Sequence, residues 1–399
     1  MLEEKIQVCQ IVASINENTG GPAHSVTNLA TQLTRNSIDS HLFTLDYYWH
    51  GLQVINGDFQ LHSPQASYIA KYCRGWQPKA KKQLQQLAQT KLNLIHNHGL
   101  WMFPNLYARQ AAVKNKLPLV ISPRGMLESW SLKYSWHKKK LAWLLYEKQN
   151  LERATLFHAT SIAEMESIRK LGYQQPIALI PNGVNLPDLS NKVNKQTLIE
   201  QFPNLAGKKW LLFLSRIHPK KGLDNLLYIW SSIVEQFPDW HLVIAGSDFT
   251  GYQEQLESLV SQLQLEPKVT FTRMLSGQIK ESAMGNADLF ILPSHSENFG
   301  IAIAESLSYG VPVITTKETP WQDLLTNDCG WWVEDDRLAL KTALIEAMKL
   351  PCDRRQEMGE KGKALVKDKY SWDYIGKQMS EVYHWILFGG TTPTCVYLD

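Results

Sequence analysis

The sequence has almost no excess of either charge: 41 Lys and Arg stand against 38 Asp and Glu, a formal +3. That balance argues against bulk nucleic-acid binding, which shows as a strongly basic face. Cysteine is scarce. Cys9, Cys73, Cys329, Cys352 and Cys395 are scattered, odd in number, and free of CxxC or Cys/His spacing. This usage excludes a disulfide framework or zinc ribbon and reads as reduced thiols in a cytosolic protein. No apolar run reaches the roughly 18 residues needed to span a bilayer. The opening stretch, MLEEKIQVCQIVAS, starts acidic, has a short mixed apolar run, and reads as no signal peptide. Low-complexity segments and short-period repeats are absent.

What is present is an ordinary globular composition, 44% hydrophobic and 20% charged over 399 residues. That length exceeds what a single hydrophobic core sustains, so two domains are expected. Short apolar runs alternate with amphipathic segments of helical length. Strands are expected at Ile6–Val12, His41–Leu45, Leu92–His96, Leu119–Ser122, Leu156–Ala159 and Ile177–Ile180. The second half repeats the scheme at Trp210–Ser215, Leu242–Ala245, Val269–Thr272, Leu289–Leu292 and Val311–Thr315. Helical patterns lie between them, among them Ser25–Thr34, Asn105–Lys114, Lys138–Glu152, Leu223–Gln236 and Ala302–Ser308. A βαβα series implies a parallel sheet covered on both faces, and two such series imply two doubly wound α/β domains. In each, a ligand is expected at the carboxyl ends of the strands. The boundary falls near Pro181-Asn182-Gly183-Val184, ahead of a polar linker, Asn185–Ala206. A last helical run, Ile375–Phe388, precedes a tail, Gly389–Asp399, expected to fray.

The most informative segment begins at Pro293-Ser-His-Ser-Glu297-Asn298-Phe299-Gly300 and continues through Glu305 to Gly310-Val-Pro. A strand ends, a polar glycine loop follows, and a helix starts. Backbone N–H groups around Asn298–Gly300 suit an anionic or hydroxyl-rich ligand. Glu297 and Glu305 can accept hydrogen bonds from vicinal hydroxyls. Taken singly, each glutamate could equally serve the helix dipole or lie in solvent. Upstream, Leu212-Phe-Leu-Ser-Arg216-Ile-His-Pro-Lys-Lys221-Gly222 places an arginine and a lysine at a strand-to-helix turn. Arginine can fork two phosphate oxygens and lysine acts as a point charge. On its own the pattern could be a solvated basic turn.

The Glu297…Glu305 pair resembles the E-x7-E signature of the family-four retaining glycosyltransferases of the GT-B fold. The family's usual E-G-F-G is E-N-F-G here. The resemblance implies two Rossmann-like, doubly wound domains facing a central cleft. Residues 1–182 would form the acceptor domain, completed by a C-terminal helix, 373–399, crossing back to it. Residues 183–372 would form the donor domain. Arg216 and Lys221 would clamp the diphosphate, Glu297 and neighbouring amides the sugar, and Glu305 the ribose. Gly20 and Gly21, in Asn18-Thr-Gly-Gly-Pro, would approach the donor phosphate closely, as glycine permits. Gly246 would flank the nucleotide, and Arg273, Met274 and Leu275 would contact the base. Asn298, Phe299 and Gly300 complete the donor set.

In Ile95-His96-Asn-His98, the resemblance puts His98 at the active-site histidine and points His96 into the fold. A metal is not expected there, because no third ligand is evident and the family is metal-independent. Ser122-Pro-Arg124-Gly-Met-Leu resembles a bacterial branch that assembles capsular, exopolysaccharide or envelope glycans. Arg124 there would hold an acceptor phosphate or hydroxyl, or else form a loop salt bridge. The implied reaction is retaining transfer of a hexose from a nucleotide sugar, UDP-glucose first, to a glycan or lipid-linked acceptor, with no cofactor.

A nucleotide-sugar epimerase or hydrolase on the same fold stays open, as does a non-catalytic glycan-binding protein. A dehydrogenase is disfavoured by the lack of a strand-bound G-x-G-x-x-G with its following acid. Finally, 124–153 carries seven Lys/Arg against three Asp/Glu, interleaved with Trp130, Trp136, Trp143 and Tyr146. Such a helix could rest on anionic lipid at the cytoplasmic face of the inner membrane, or its apolar stripe could be the buried face of an ordinary helix.

Overall fold

The computed structural model describes residues 5–16, 21–45, 57–128, 131–132, 136–188 and 194–399. The chain divides into two compact units, Met1–Gly183 with Trp372–Asp399, and Val184–Ser371. Both are α/β.

Unit 1 contains β1 (Gln7–Ile11), β2 (Asp39–Phe43), β3 (Gln60–His62), β4 (Leu94–His98), β5 (Leu119–Ser122), β6 (Leu156–Ala159), β7 (Ile177–Leu179) and β14 (Val396–Tyr397). They form one sheet in the order β14-β7-β6-β5-β4-β1-β2-β3, parallel except for β14. Successive strand residues alternate between faces. Val8, Leu94, Val120, Leu156 and Ala178 pack against Leu29 and Leu33 of helix Gly21–Arg35 and against Ile375, Met379 and Val382 of helix Trp372–Phe388. Their neighbours Cys9, Ile95, Ile121, Phe157 and Ile177 face the opposite layer, with Leu84, Ala108 and Ala111. Burial on both faces explains why these strands read as continuous apolar runs.

The tail corrects the expectation of fraying. Val396 and Tyr397 pair antiparallel with Ala178 and Ile177, Leu179 N–H donates to Cys395 O at 2.8 Å, and Arg169 Nε donates to Asp399 O at 2.8 Å. Without that strand, β7 would be an edge with an unpaired row of peptide groups.

Unit 2 contains β8 (Lys209–Leu214), β9 (Trp240–Ala245), β10 (Val269–Arg273), β11 (Leu289–Leu292), β12 (Val313–Thr316) and β13 (Gly330–Val333). The all-parallel order is β10-β9-β8-β11-β12-β13. Its core holds Trp210, Trp230, Trp240 and Trp321, all essentially inaccessible. Helix Gly277–Asn286, strand Gly330–Val333 and helix Cys352–Lys369 lie beyond the elements read from the sequence. Glycines and charges blur their periodicity: the last of these helices buries Gly359 and Gly362, with no room for a Cβ against Gly310 and Leu307.

In both sheets the strand order reverses once, between β1 and β4 in unit 1 and between β8 and β11 in unit 2. Such reversal opens a crevice at the carboxyl ends of the two flanking strands, because the connecting helices leave to opposite faces.

Candidate active site

The unit 2 crevice gathers the strongest sequence candidates. After β8 the chain passes Arg216, turns through a 3-10 helix at Pro219–Lys221, and enters helix Leu223–Ser231 through Gly222. Gly222 has φ +66°, and a Cβ there would lie 2.2 Å from Pro293 O. Only glycine permits the two loops to approach so closely. His295 N–H donates to Lys220 O at 2.9 Å, stitching the β11 loop to the β8 loop. Gly246, at the end of β9, is as constrained: its Cβ would meet Ser215 O at 1.8 Å. Its N–H donates to Arg273 O at 2.9 Å, so the ends of β8, β9 and β10 form one packed rim. Arg273 sits at a bulge with φ +62°, and Arg273 and Met274 are exposed while Leu275 is buried.

Lys221 Nζ and Glu297 Oε2 form a direct ion pair, with Lys221 buried and Glu297 nearly so. Burial works to raise the Glu297 carboxyl pKa, but Lys221, Lys220 and Arg216 outweigh it and hold the group below its ordinary 4.5. Arg216 itself is exposed. The loop under Glu297 is rigidly held. Glu297 N–H donates to Glu318 O at 2.9 Å, and Thr316 Oγ1 donates to Ser294 O at 2.5 Å. Phe299 is buried in a cluster of tilted rings with Trp321 and Tyr370 at 5.4 and 5.8 Å, and its carbonyl accepts from Trp321 Nε1 at 2.5 Å. Phe299 therefore offers a ligand its backbone, not its ring. Gly300, at φ +80°, caps helix Ile301–Ser308. Glu305, one turn further on, pairs with Lys280 at 2.7 Å. Lys280 and the His295–Asp335 pair, at 2.7 Å, were not singled out by sequence; each joins separate elements with no local spacing to betray it.

The remaining candidates lie in unit 1. Gly20 falls outside the described residues, and Gly21 opens helix Gly21–Arg35. His98 ends β4 at the switch point and is 2% exposed. Both its ring nitrogens are engaged: Nε2 lies 2.6 Å from Gln10 Oε1, and Nδ1 accepts from Arg124 NH2 at 2.9 Å. Burial, then His96 and Arg124, hold its pKa well below 6.5. His96 does point into the fold, between Tyr383 and Ser122 at 2.7 Å each. Arg124 follows β5 with φ +58° and also donates to Asn182 Oδ1 at 2.6 Å. Burial lowers its pKa to about 10, against the opposing pull of Glu164. Its partners are neutral side chains, so the loop salt bridge of the alternative reading is replaced by hydrogen bonds to His98 and Asn182. Among the described residues, no three His, Cys, Asp or Glu side chains gather as metal ligands.

The apolar side chains of the basic aromatic segment divide between the core and the surface, so each of the two readings describes one side of it. Helix Trp136–Ala142 continues through a π-turn, Trp143–Glu147, into Lys148–Glu152. Leu141, Leu144 and Leu145 are 60, 69 and 66% exposed, beside exposed Lys138 and Lys140. Trp143 and Tyr146 instead pack on Trp101 and Phe103, at 6.3 and 6.1 Å. A neighbouring helix, Tyr68–Tyr72, also exposes Tyr68, Ile69 and Tyr72, and Arg74 just after it bonds Tyr146. Trp130 lies outside the described residues, as does the side chain of Trp136. Among the described residues, no helix is long and apolar enough to cross a membrane.

Comparison with known proteins now decides the family. Residues 194–365 match the model of glycosyl transferases group 1, and residues 19–187 match that of glycosyltransferase family 4. The chain belongs to the family-four glycosyltransferases of the GT-B fold. A similar relative is the GDP-mannose:cellobiosyl-diphosphopolyprenol alpha-mannosyltransferase of Xanthomonas campestris, 23% identical over 95% of this chain and 97% of that one. Among solved structures, sucrose-phosphate synthase of Thermosynechococcus elongatus superposes with a TM-score of 0.77 at 19% identity, covering 97% of this chain and 100% of the other. Anabaena HepE, solved with UDP and glucose, gives 0.74 at 16% identity, covering 95% and 99%. This glycosyltransferase thus carries its E-x7-E pair and its basic turn on the same switch point.

Proposed function

We propose that the enzyme transfers a hexose, with retention of anomeric configuration and without a metal, from a nucleotide sugar to a glycan or lipid-linked saccharide in bacterial polysaccharide synthesis. Unit 2 binds the donor and unit 1 the acceptor. The observation that carries this reading is the convergence of Arg216, Lys221 and Glu297 at one strand-order reversal, pinned by Gly222. Cations there can neutralise charge growing on a departing diphosphate, which is the main electrostatic demand of the reaction. Glu297 and the amides of Asn298–Gly300 hold the sugar, Glu305 the ribose, and Arg273–Leu275 with Gly246 the base. Gly20 and Gly21 are assigned to the donor phosphate, and His98 and Arg124 to the sugar and acceptor. In the front-face route, the acceptor oxygen bonds to the anomeric carbon as its bond to the diphosphate breaks. The leaving diphosphate oxygen takes the acceptor's proton, so Glu297 acts in binding and not as a nucleophile.

UDP-glucose is the first donor to try. GDP-mannose is the second reading, favoured by the donor in the Xanthomonas relative's name. That relative's acceptor is polyprenol-linked, which, with the exposed leucines and lysines of 136–152, supports peripheral attachment at the cytoplasmic face of the inner membrane. Thermal shift against a nucleotide-sugar panel reads affinity as stabilisation, about 2.7 kcal/mol at a hundredfold excess over Kd. One nucleotide sugar should raise the melting temperature well above the rest and then yield an α-linked product with a saccharide acceptor. Release of the sugar without an acceptor, or its epimerisation, would overturn the transferase reading.

A further inference from the structure

Behind His98, buried polar groups of unit 1 stand in single file, and the chemistry at the two ends dictates every hydrogen in between. At one end, His158 Nε2 lies 2.8 Å from Ile180 O, a carbonyl that can only accept. Nε2 therefore carries a hydrogen. Burial, with Arg124 nearby, keeps this imidazole neutral, its pKa near 3, so Nδ1 carries a lone pair. Ser122 Oγ, 2.6 Å away, must donate to it. Having spent its only hydrogen, Ser122 accepts from His96 Nε2 at 2.7 Å. His96 is also buried and neutral, so its Nδ1 accepts from the Tyr383 hydroxyl at 2.7 Å. The Tyr383 oxygen in turn accepts from Gln10 Nε2 at 2.9 Å, which turns Gln10 Oε1 towards His98 Nε2 at 2.6 Å. At the far end Arg124, which can only donate, meets His98 Nδ1 at 2.9 Å. Seven bonds run in one direction from a guanidinium to a peptide carbonyl. Gln10, His96, His98, Ser122, His158 and Tyr383 are all buried.

We propose that Tyr383, on the C-terminal helix, with Gln10 acts as a positioning residue that fixes His98 as its Nε2–H tautomer. His98 can then offer a substrate only the lone pair of Nδ1, which Arg124 holds in this structure. A substrate hydroxyl reaching His98 must donate to Nδ1 in place of the Arg124 N–H, which leaves that guanidinium free for an oxygen of the incoming ligand. Bonds within such a file polarise one another, so a break at Tyr383 is felt at His98. The functional part of this inference rests on the reading that His98 meets substrate; the tautomer does not.

The test uses the full-length protein labelled with 15N-histidine. Long-range proton–nitrogen spectra, assigned by single-histidine variants, should show His96, His98 and His158 as neutral Nε2–H tautomers at neutral pH. Tyr383→Phe, which removes the acceptor that orients the Gln10 amide, should shift the His98 Nε2 resonance while Arg124 still holds Nδ1 as an acceptor. It should lower kcat about tenfold, the scale of one lost hydrogen bond, with donor KM unchanged. Ser122→Ala, which breaks the file between His96 and His158, should shift those two most and His98 less, and it serves if Tyr383→Phe fails to fold. A charged or Nδ1–H His98 in the native protein, or a His98 spectrum that neither variant changes, would overturn the proposal. If the tautomers are as expected but His98→Ala transfers sugar at full rate, the relay stands and the role given to His98 falls.

Discussion

Arg216 and Lys221 differ in how they are held, and that shapes what their removal does. Arg216 is exposed, so Arg216→Ala should leave the fold intact and subtract only charge. Lys221 is buried against Glu297, so Lys221→Ala also strands a carboxylate that the lysine had held ionised. Both should reduce transfer by at least about 100-fold, the scale of lost transition-state electrostatics, with circular dichroism unchanged. Near-normal turnover in both variants would remove the diphosphate assignment. The buried histidines carry a stability prediction. His96, His98 and His158 have pKa values lowered in the folded protein, chiefly by burial. Below about pH 6.5 the unfolded chain takes up protons that the folded one refuses, so stability falls as pH drops. Each histidine contributes up to about 1.4 kcal/mol per pH unit until its folded pKa is reached, near 3 for His158. Urea midpoints at pH 7.5, 6.5 and 5.5 should decline steeply over the last interval; a flat profile would contradict the neutral, buried state of these rings.

At the scale of elements, the segment 136–152 departs from the usual amphipathic helix. Trp143 and Tyr146 face inward onto Trp101 and Phe103, while Leu141, Leu144 and Leu145 face out beside lysines. A buried acid anchors it: Glu147 accepts from Trp101 N–H at 2.8 Å, and burial pushes its pKa up to about 6. The exposed leucines suit the apolar boundary of a bilayer, and each nearby lysine adds about 1 kcal/mol on anionic lipid. Co-sedimentation with phosphatidylserine vesicles should be strong at low salt, weak at high salt, and absent for neutral vesicles. Replacing Lys138, Lys139 and Lys140 together with glutamate should abolish it. Binding that ignores all three substitutions would end the membrane proposal. The tail illustrates the converse, an element of weak local propensity that the sheet organises, since β7 needs a partner along its outer edge.

For the molecule as a whole, the residues proposed for catalysis are cations, carboxylates, one neutral imidazole and backbone amides. Charge on the leaving diphosphate is to be met by guanidinium and ammonium groups. Transfer should therefore survive excess EDTA, measured as nucleoside diphosphate released in the presence of acceptor. Complete loss restored by magnesium or manganese would overturn the metal-independent route.

The α/β class, most of the strand series and the strand-end motifs were legible in the sequence, for local reasons. Strands buried on both faces appear as apolar runs, Gly222 and Gly246 mark turns where a side chain has no room, and Gly300 marks one with positive φ. Arg216, Lys221 and Glu297 stood out because each follows a strand end at short range, and Glu305 through its E-x7-E spacing from Glu297. Other features were decided only in three dimensions. The Glu305–Lys280 and His295–Asp335 pairs join separate elements. Gln10 meets Tyr383 across 373 positions, and His96 meets Tyr383 across 287. No periodicity or spacing encodes such contacts, because they exist only after the C-terminal helix has packed on the first sheet. The same holds for the outward leucines: composition placed them in an apolar stripe, but which side of that stripe meets protein depended on Trp101 and Phe103 claiming the aromatic rings.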